Sequence, residues 1–267
     1  MVWPTVSRRI PGHGFVVALS FLTRIPVRHN HEPNIGSSAP WFPVVGVAVG
    51  AIVGAIAWGV SNLTSPLVGA AVGVLAGVLI TGAFHEDGLA DIADAFVGGW
   101  SIEDRLRILK DPLHGSYGVA ALSGSIVLRI AALGSMKPQH MFIAAIAAHC
   151  LARTGALVLM LTTALARHDG LGADYVRTLP IARAFFGIIF ALVIGFIALD
   201  VWLIAAVVAT IVGASVIRWW AQRKIGGITG DVLGAAEQIS EALIYGALSA
   251  RSLLARYEGC ETIHALF

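Results

Sequence analysis

Three aspartates, Asp87, Asp91 and Asp94, are separated by four and then three residues. On a helix this spacing places the carboxylates within roughly 60° of one another, on one face. Carboxylates so placed repel one another unless a cation lies between them, and hard oxygen ligands of this kind suit Mg²⁺, which bridges to substrate phosphate. The alternative is a solvated acidic helix end that nearby arginines screen. Because the motif adjoins an apolar segment in a chain with only 16 acidic residues, we favour a metal site.

Residues around this motif suit a substrate that carries phosphate. His85 precedes the acidic face and is a candidate metal ligand, phosphate contact or general base. Arg105 and Lys110 follow it, close to Asp111. A basic group opposite a metal site suits phosphate, because the metal neutralises one set of oxygens and the cations neutralise the others.

A second polar stretch, from Lys224 to Ala235, is rich in glycine and contains Thr229 and Asp231. Glycines before a helix can form an anion cradle at its N-terminus. Asp231 could equally be only the residue that caps this helix, and the spacing leaves both interpretations open. Further along, Glu237 and Glu241 share one face of an apolar helix, which is costly unless they face a site or a cation. They are therefore candidates to complete the metal environment.

The elements that position these residues are membrane helices. Hydrophobic residues form 57% of the chain, charged residues 13%, and the mean hydropathy is +0.81, whereas a soluble domain has about a quarter charged residues. The chain is therefore predicted to be one integral membrane domain, residues 1–267, with an all-α fold of about seven spans. The predicted spans are 42–60, 66–84, 117–135, 141–165, 184–199, 201–217 and 232–250. Small residues repeat four apart in the first two, which favours close helix packing.

The positions of Lys and Arg predict the orientation of the bundle. If the N-terminus is cytoplasmic, most loop cations lie inside, in the N-terminal segment and after the second, fourth and sixth spans. Lys137, Arg251 and Arg256 then lie outside. The long polar connections fall on the inner side, which favours an enzyme at the cytoplasmic face.

Four runs of residues resemble one family, and they extend in its order over about residues 15 to 245. These runs are FLTRIPV (21–27), FHEDGLADIAD (84–94), RLRILKDPLHGSYGV (105–119) and GGITGDVLGA (226–235). They resemble the cobalamin synthases, the adenosylcobinamide-GDP ribazoletransferases. Lys110, Asp111, Gly115 and Gly118 match the family's pattern, whereas Leu109, Pro112 and Leu113 occupy variable or altered positions.

The resemblance implies the last assembly step of the coenzyme B12 nucleotide loop. Adenosylcobinamide-GDP and α-ribazole, or its 5′-phosphate, would give adenosylcobalamin, or its 5′-phosphate, and GMP with Mg²⁺. The partners expected are these two substrates and the lipid bilayer, with no nucleic acid, and the oligomeric state stays open. The expected location is the cytoplasmic membrane of a bacterium or archaeon.

The sequence and the resemblance together give three sets of candidate site residues. The catalytic candidates are His85, Asp87, Asp91, Asp94 and Asp111. The candidate phosphate contacts are Arg105, Lys110, Gly227, Thr229 and Gly230. The candidate metal ligands are Asp87, Asp91, Asp94, Asp231, Glu237 and Glu241.

Two other classes of protein compete with this interpretation. Another Mg²⁺-dependent membrane transferase, of the CDP-alcohol phosphotransferase or prenyltransferase type, would work at the same face, but the chain has neither of their motif patterns. An ion-coupled transporter would have functional carboxylates at mid-span. Glu237 and Glu241 are the residues that favour this last alternative.

Overall fold

The computed structural model describes residues 13–27 and 35–264, and it leaves the side chains of residues 251–264 undescribed. Helices form the described part of the chain, with a single isolated bridge between Leu165 and Ile228 and no sheet. The helices are α1 His13–Leu22, α2 Phe42–Leu63, α3 Pro66–Thr81, α4 Phe84–Ala93, α5 Ile102–Ile108, α6 Ser116–Gly134, α7 Pro138–Thr162, α8 Leu171–Thr178, α9 Ile181–Leu199, α10 Leu203–Ile225 and α11 Gly230–His264.

The predicted all-α, polytopic fold is confirmed, and each of the seven predicted spans overlaps a helix. The predicted span 66–84 runs past the end of α3 into the bend before α4, and 141–165 runs past the end of α7. Within the described ranges, four segments are long and apolar enough to cross a membrane: Ile35–Leu63, Ser116–Gly134, Pro138–Thr162 and Ile181–Ile225. A fifth is the bent pair Pro66–Thr81 and Phe84–Gly98. Four or five segments are fewer than the predicted seven, partly because the charged helix α11 is not among them and partly because Ile181–Ile225 contains two helices.

The segment Ile181–Ile225 reverses direction, as the neighbours of α7 indicate. Gly187 of α9 lies beside Leu157, and Gly195, further along α9, lies beside Leu151. After the turn at Asp200, α10 runs back along α7, where Thr210 lies against Gly155. At about 1.5 Å per residue, these 45 residues are also long enough to cross a ~30 Å hydrocarbon core twice.

Glycine faces bring the central helices into close contact. Helix α2 packs along α7 through Gly46, Gly50 and Gly54, and a Cβ atom on Gly54 would lie 2.7 Å from the Cα atom of Phe142. Helix α3 uses Gly69 in the same way against α2. The small residues therefore act in packing, as their spacing predicts.

The polar connections gather at one end of the bundle. Helix α3 ends there at Gly82 and Ala83, both with positive φ, and the chain bends by 90° into α4. The backbone of Gly88 in α4 lies against that of Asp231, at the start of α11. Main-chain hydrogen bonds join Ile228 to Ala164 and Ala166 at the same end. The three segments thereby converge, and the aspartate motif and the glycine-rich stretch lie at the same end of the bundle.

Several of the arginines that predict the orientation of the bundle have side chains that the structure does not describe. Arg8, Arg9 and Arg28 lie outside the described residues, and the side chains of Arg251 and Arg256 are not described either.

Candidate active site

A cavity of about 200 Å³ lies at the polar end of the bundle. Its acidic and basic lining includes Asp87 from α4, Asp231 from α11, and Arg153 and Arg167 from α7 and the loop after it. Aromatic side chains from α1, α2, α4 and α8 line the same cavity. It therefore combines charged groups with a large apolar surface, as ligand sites do.

Two of the three predicted aspartates lie together beside a histidine that was not predicted. The Oδ1 atom of Asp87 is 3.2 Å from Nε2 of His114, and Oδ1 of Asp91 is 3.4 Å from Nδ1. One ligand atom from each of the three residues lies within 4.8 Å of the others. Asp87 is 62% exposed and Asp91 14% exposed, so the group is open to solvent on one side. We call Asp87, Asp91 and His114 the carboxylate group.

Asp94 is not part of this group. Its Oδ2 atom accepts a hydrogen bond of 2.7 Å from the amide of Gly115, and its Oδ1 atom accepts one of 2.9 Å from the amide of Gly118. A Cβ atom at either glycine would clash with the carboxylate. Asp94 therefore fixes the first turn of α6 and, through Gly115, the neighbouring His114, whereas its role as a metal ligand stays a prediction.

The N-terminus of α11 forms a second charged wall of the cavity. The Thr229 hydroxyl donates to Asp231 Oδ2 at 3.1 Å and accepts from the Val232 amide, so Thr229 caps the helix. Arg167 approaches Asp231 to 3.8 Å, and its buried Nη1 atom has no hydrogen-bond partner among the described residues. Burial raises the pKa of Asp231, and the Arg167 charge opposes this rise. Gly230 lines the cavity, and a Cβ atom there would meet the Cα atom of Gly172 at 4.0 Å.

The other predicted phosphate contacts have different neighbours. A Cβ atom at Gly227 would lie 2.5 Å from the carbonyl oxygen of Ala164, so this glycine serves close backbone packing, not an open cradle. The guanidinium of Arg105 donates to the carbonyl oxygen of Lys224 and so caps α10. Lys110 forms an exposed ion pair of 3.0 Å with Asp169, at the cavity edge. Asp111 is exposed and accepts a hydrogen bond from the amide of Leu113.

Glu237 and Glu241 belong to a buried network of ion pairs, which borders the cavity at Arg153 and Glu237. Arg153 contacts Glu237 at 2.8 Å, and Arg129 contacts Glu241 at 3.2 Å and Glu86 at 3.0 Å. The remaining member is His149, 3.0 Å from Glu241. We call Glu86, Arg129, His149, Arg153, Glu237 and Glu241 the buried network; the side chain of each is at most 5% exposed.

The carboxylate group and the buried network differ in how well they fit a divalent cation. The ligand atoms of His149, Glu237 and Glu241 are also close enough to hold a metal, but two guanidinium groups already contact the three carboxylates of the buried network. A divalent cation there would lie beside these two positive charges. The carboxylate group has two acids and no guanidinium contact among the described residues, which fits the oxygen ligands that Mg²⁺ prefers. Glu237 and Glu241 are therefore better interpreted as partners of the arginines than as metal ligands.

His85 connects the network to the cavity. It is buried, it lines the cavity, and its Nδ1 atom lies 3.7 Å from Oε2 of Glu237. Sequence reasoning identified His85 but not His114, Arg129, Arg153 or Arg167 as site residues. The signal for Arg129 and Arg153 was their presence within apolar spans, where a charge is expensive.

Comparisons with known proteins identify the family of the chain. The family model described as cobalamin-5-phosphate synthase matches residues 14–249. A relative from Bradyrhizobium diazoefficiens is 39% identical over 85% of this chain and 90% of its own length. Relatives from Ralstonia pickettii and Shewanella frigidimarina are 38% and 36% identical, over 87% and 86% of this chain and over 93% and 92% of their own lengths. All three are named adenosylcobinamide-GDP ribazoletransferase.

No solved structure is a significant match to the chain. The family match covers most of the chain, including the aspartate motif, the segment around His114 and the start of α11. The chain therefore belongs to the cobalamin-5-phosphate synthase family.

Proposed function

We propose that the protein transfers the adenosylcobinamide-phosphate unit of adenosylcobinamide-GDP to α-ribazole, or to α-ribazole 5′-phosphate. The products are adenosylcobalamin, or its 5′-phosphate, and GMP. The observation that carries this proposal is membership of the family over residues 14–249, together with relatives that bear the name of this enzyme. The cavity supports it, because it combines an acidic group with a basic and an apolar wall.

The carboxylate group is the proposed site of Mg²⁺, held by Asp87 and Asp91 with His114 beside them. Bound there, Mg²⁺ would neutralise charge on the diphosphate oxygens of the substrate. Arg167 would contribute positive charge to the same cavity, and the N-terminus of α11 brings the backbone of Gly230 to its wall. Phosphoryl transfer needs such positioning and charge stabilisation more than covalent help from the protein.

One proton must leave the hydroxyl of α-ribazole as that oxygen attacks phosphorus and GMP departs. His85 is the proposed acceptor, because it lies in the cavity wall, with its Nδ1 atom 3.7 Å from Glu237 Oε2. Asp87 lines the same cavity and is the alternative acceptor, while Asp111 is not among the described residues that line it.

The test of this function is release of GMP by detergent-purified protein supplied with adenosylcobinamide-GDP, α-ribazole and Mg²⁺. We expect GMP and adenosylcobalamin in equal amounts, and no GMP when either substrate or the metal is omitted. GMP release without α-ribazole would indicate hydrolysis instead. Turnover of a CDP-alcohol or a prenyl diphosphate, but not of these substrates, would favour the competing transferase classes.

We also propose that the polar end of the bundle, and the N-terminus, face the cytoplasm of a bacterial or archaeal cell. The support is the excess of Lys and Arg in the connections at this end. In a Cys260→Ser background, Leu113→Cys places a thiol at a 79% exposed position. An impermeant thiol reagent should label it only after the cells are opened. Labelling in intact cells would reverse the orientation.

A further inference from the structure

One wall of the cavity consists of aromatic rings that the mechanism above does not use. Phe21 lies at its centre, with ring centroids 4.7 Å from Tyr175, 5.0 Å from Phe84 and 5.9 Å from Phe42. Phe42 and Tyr175 are also in contact, at 5.5 Å. All four rings line the cavity that contains Asp87 and Asp231. We call Phe21, Phe42, Phe84 and Tyr175 the aromatic wall.

Four separate elements build the aromatic wall. Phe21 comes from α1, Phe42 from the start of α2, Phe84 from the start of α4 and Tyr175 from α8. Phe42 and Tyr175 are almost fully buried although they border a cavity. Phe21 is also the first residue of the motif FLTRIPV, and the charged part of the site does not explain the function of this motif. Rings contributed by four elements and facing one cavity are suited to hold a flat ligand.

The aromatic wall is uncharged and offers little hydrogen bonding. Within the described part of the chain, its polar atom is the Tyr175 hydroxyl, which is hydrogen-bonded with Ser38 at 3.3 Å. Burial raises the pKa of Tyr175 to about 12, so the phenol stays neutral at physiological pH. A ligand whose edge carries several donors and acceptors would lose its hydrogen bonds to water here without replacing them, which is costly.

We infer that the aromatic wall binds the base of α-ribazole, an inference that rests on the proposed function. A benzimidazole base is flat and aromatic, and it carries no exocyclic amino or carbonyl group. Guanine, the base of the other substrate, has both kinds of group on its edge and would leave them unpaired against Phe21 and Phe42. The same cavity carries the charged groups that the phosphoryl transfer requires, so base and phosphate would be bound side by side.

This placement also gives the reaction its geometry. With its base against the aromatic wall, the ribose of α-ribazole extends toward the charged part of the same cavity, where Asp87, Arg167 and Gly230 lie. Adenosylcobinamide-GDP then presents only its diphosphate to the cavity while the corrin stays outside. The aromatic wall therefore acts in binding and specificity, and the charged part in phosphoryl transfer.

The first test replaces Phe21 by Leu and measures KM for each substrate separately in the GMP-release assay. Base–aromatic stacking is worth enough that loss of the ring should raise KM for α-ribazole roughly 5- to 100-fold. KM for adenosylcobinamide-GDP should stay within about twofold. The control is Phe185→Leu, an exposed ring on α9 that does not line the cavity. A rise in KM for adenosylcobinamide-GDP alone would assign the wall to guanine and overturn the inference.

The second test does not depend on turnover. In equilibrium dialysis, the wild-type protein should bind α-ribazole more tightly than the corresponding α-riboside of adenine. The Phe21→Leu substitution should weaken the binding of α-ribazole by the same factor by which it raises KM. Equal binding of the two ribosides by the wild type would overturn apolar recognition. A wild type that binds α-ribazole but releases no GMP would reject the proposed reaction while it supports the wall. Unchanged binding by a Phe21→Leu protein with wild-type Tm would reject the wall alone.

Discussion

The carboxylate group and the buried network contain similar acids and differ in what neutralises them. Asp87 and Asp91 lie at the open end of the bundle, where His114 is their ion-pair partner among the described residues. Glu86, Glu237 and Glu241 lie in the bundle interior, where two guanidinium groups contact them directly. Uncompensated acids that solvent can reach suit a metal ion, whereas compensated acids in a closed interior hold helices together. Acidic residue type and helical spacing therefore do not identify a metal site until the neighbouring charges are known.

The largest effect should come from removing a cation of the buried network. Arg129→Met leaves Glu86 and Glu241 without their guanidinium partner, and breaking a buried ion pair costs about 3–5 kcal/mol. We expect a large fall in the thermal unfolding midpoint in detergent, whatever the Mg²⁺ concentration. The control is Arg107→Met, because Arg107 is 68% exposed and pairs with Asp104 at the surface, where pairs are worth about 0–1 kcal/mol. Equal midpoints for the two variants would contradict the difference between the regions.

The next largest effect should come from the carboxylate group, and it should appear in activity instead of stability. Asp91→Asn removes one charge without a change in size, so we expect turnover to fall on the order of 100-fold at a near wild-type unfolding midpoint. Raising Mg²⁺ should restore part of the lost rate, because the remaining ligands still bind it weakly. Asp174→Asn, at an exposed residue paired with Arg177, is the matched control. Loss of stability with no response to Mg²⁺ would show that Asp91 acts like the network.

Substitution of Asp94 tests whether this residue is a metal ligand or a residue that positions His114. Asp94→Asn weakens the hydrogen bonds to the amides of Gly115 and Gly118, and hydrogen bonds to charged groups are worth about 1.5–3 kcal/mol. We expect a loss of turnover of about tenfold, through displacement of His114, with an unchanged Mg²⁺ concentration for half-maximal rate. If Asp94→Asn instead raises the Mg²⁺ concentration for half-maximal rate as much as Asp91→Asn does, Asp94 is a metal ligand, as its spacing predicts.

The sequence predicted the helices well because a membrane helix depends on local composition. Apolar runs gave the seven spans, and the small residues at Gly46, Gly50 and Gly54 indicated close packing, which α7 provides. The bend after α3 was not predicted, because it depends on Ala83, a non-glycine residue held at positive φ. Helical periodicity contains no signal for such a bend.

The site was predicted in part, for a related reason. The spacing of Asp87 and Asp91 is a local property of one helix, and the structure keeps them on one face. The position of His114 depends on contacts between Asp94 and α6 across a loop, and the partners of Glu237 and Glu241 lie on other helices. Contacts between distant segments decide which acidic side chains are paired with cations. A single amino-acid sequence, considered by itself, does not specify these contacts.

The smallest effect should come from Lys110, which the sequence assigned to phosphate and the structure pairs with Asp169. Both side chains are more than half exposed, and Lys110 lowers the pKa of the Asp169 carboxyl. Exposed pairs of this kind contribute about 0.2–1 kcal/mol and weaken with salt. Lys110→Ala should therefore raise KM for adenosylcobinamide-GDP by no more than a few fold, and the effect should fade at high salt. Lys137→Ala, at the opposite end of the bundle, controls for loss of one charge. A rise in KM above about tenfold that Asp169→Asn does not reproduce would show that Lys110 contacts the substrate phosphate after all.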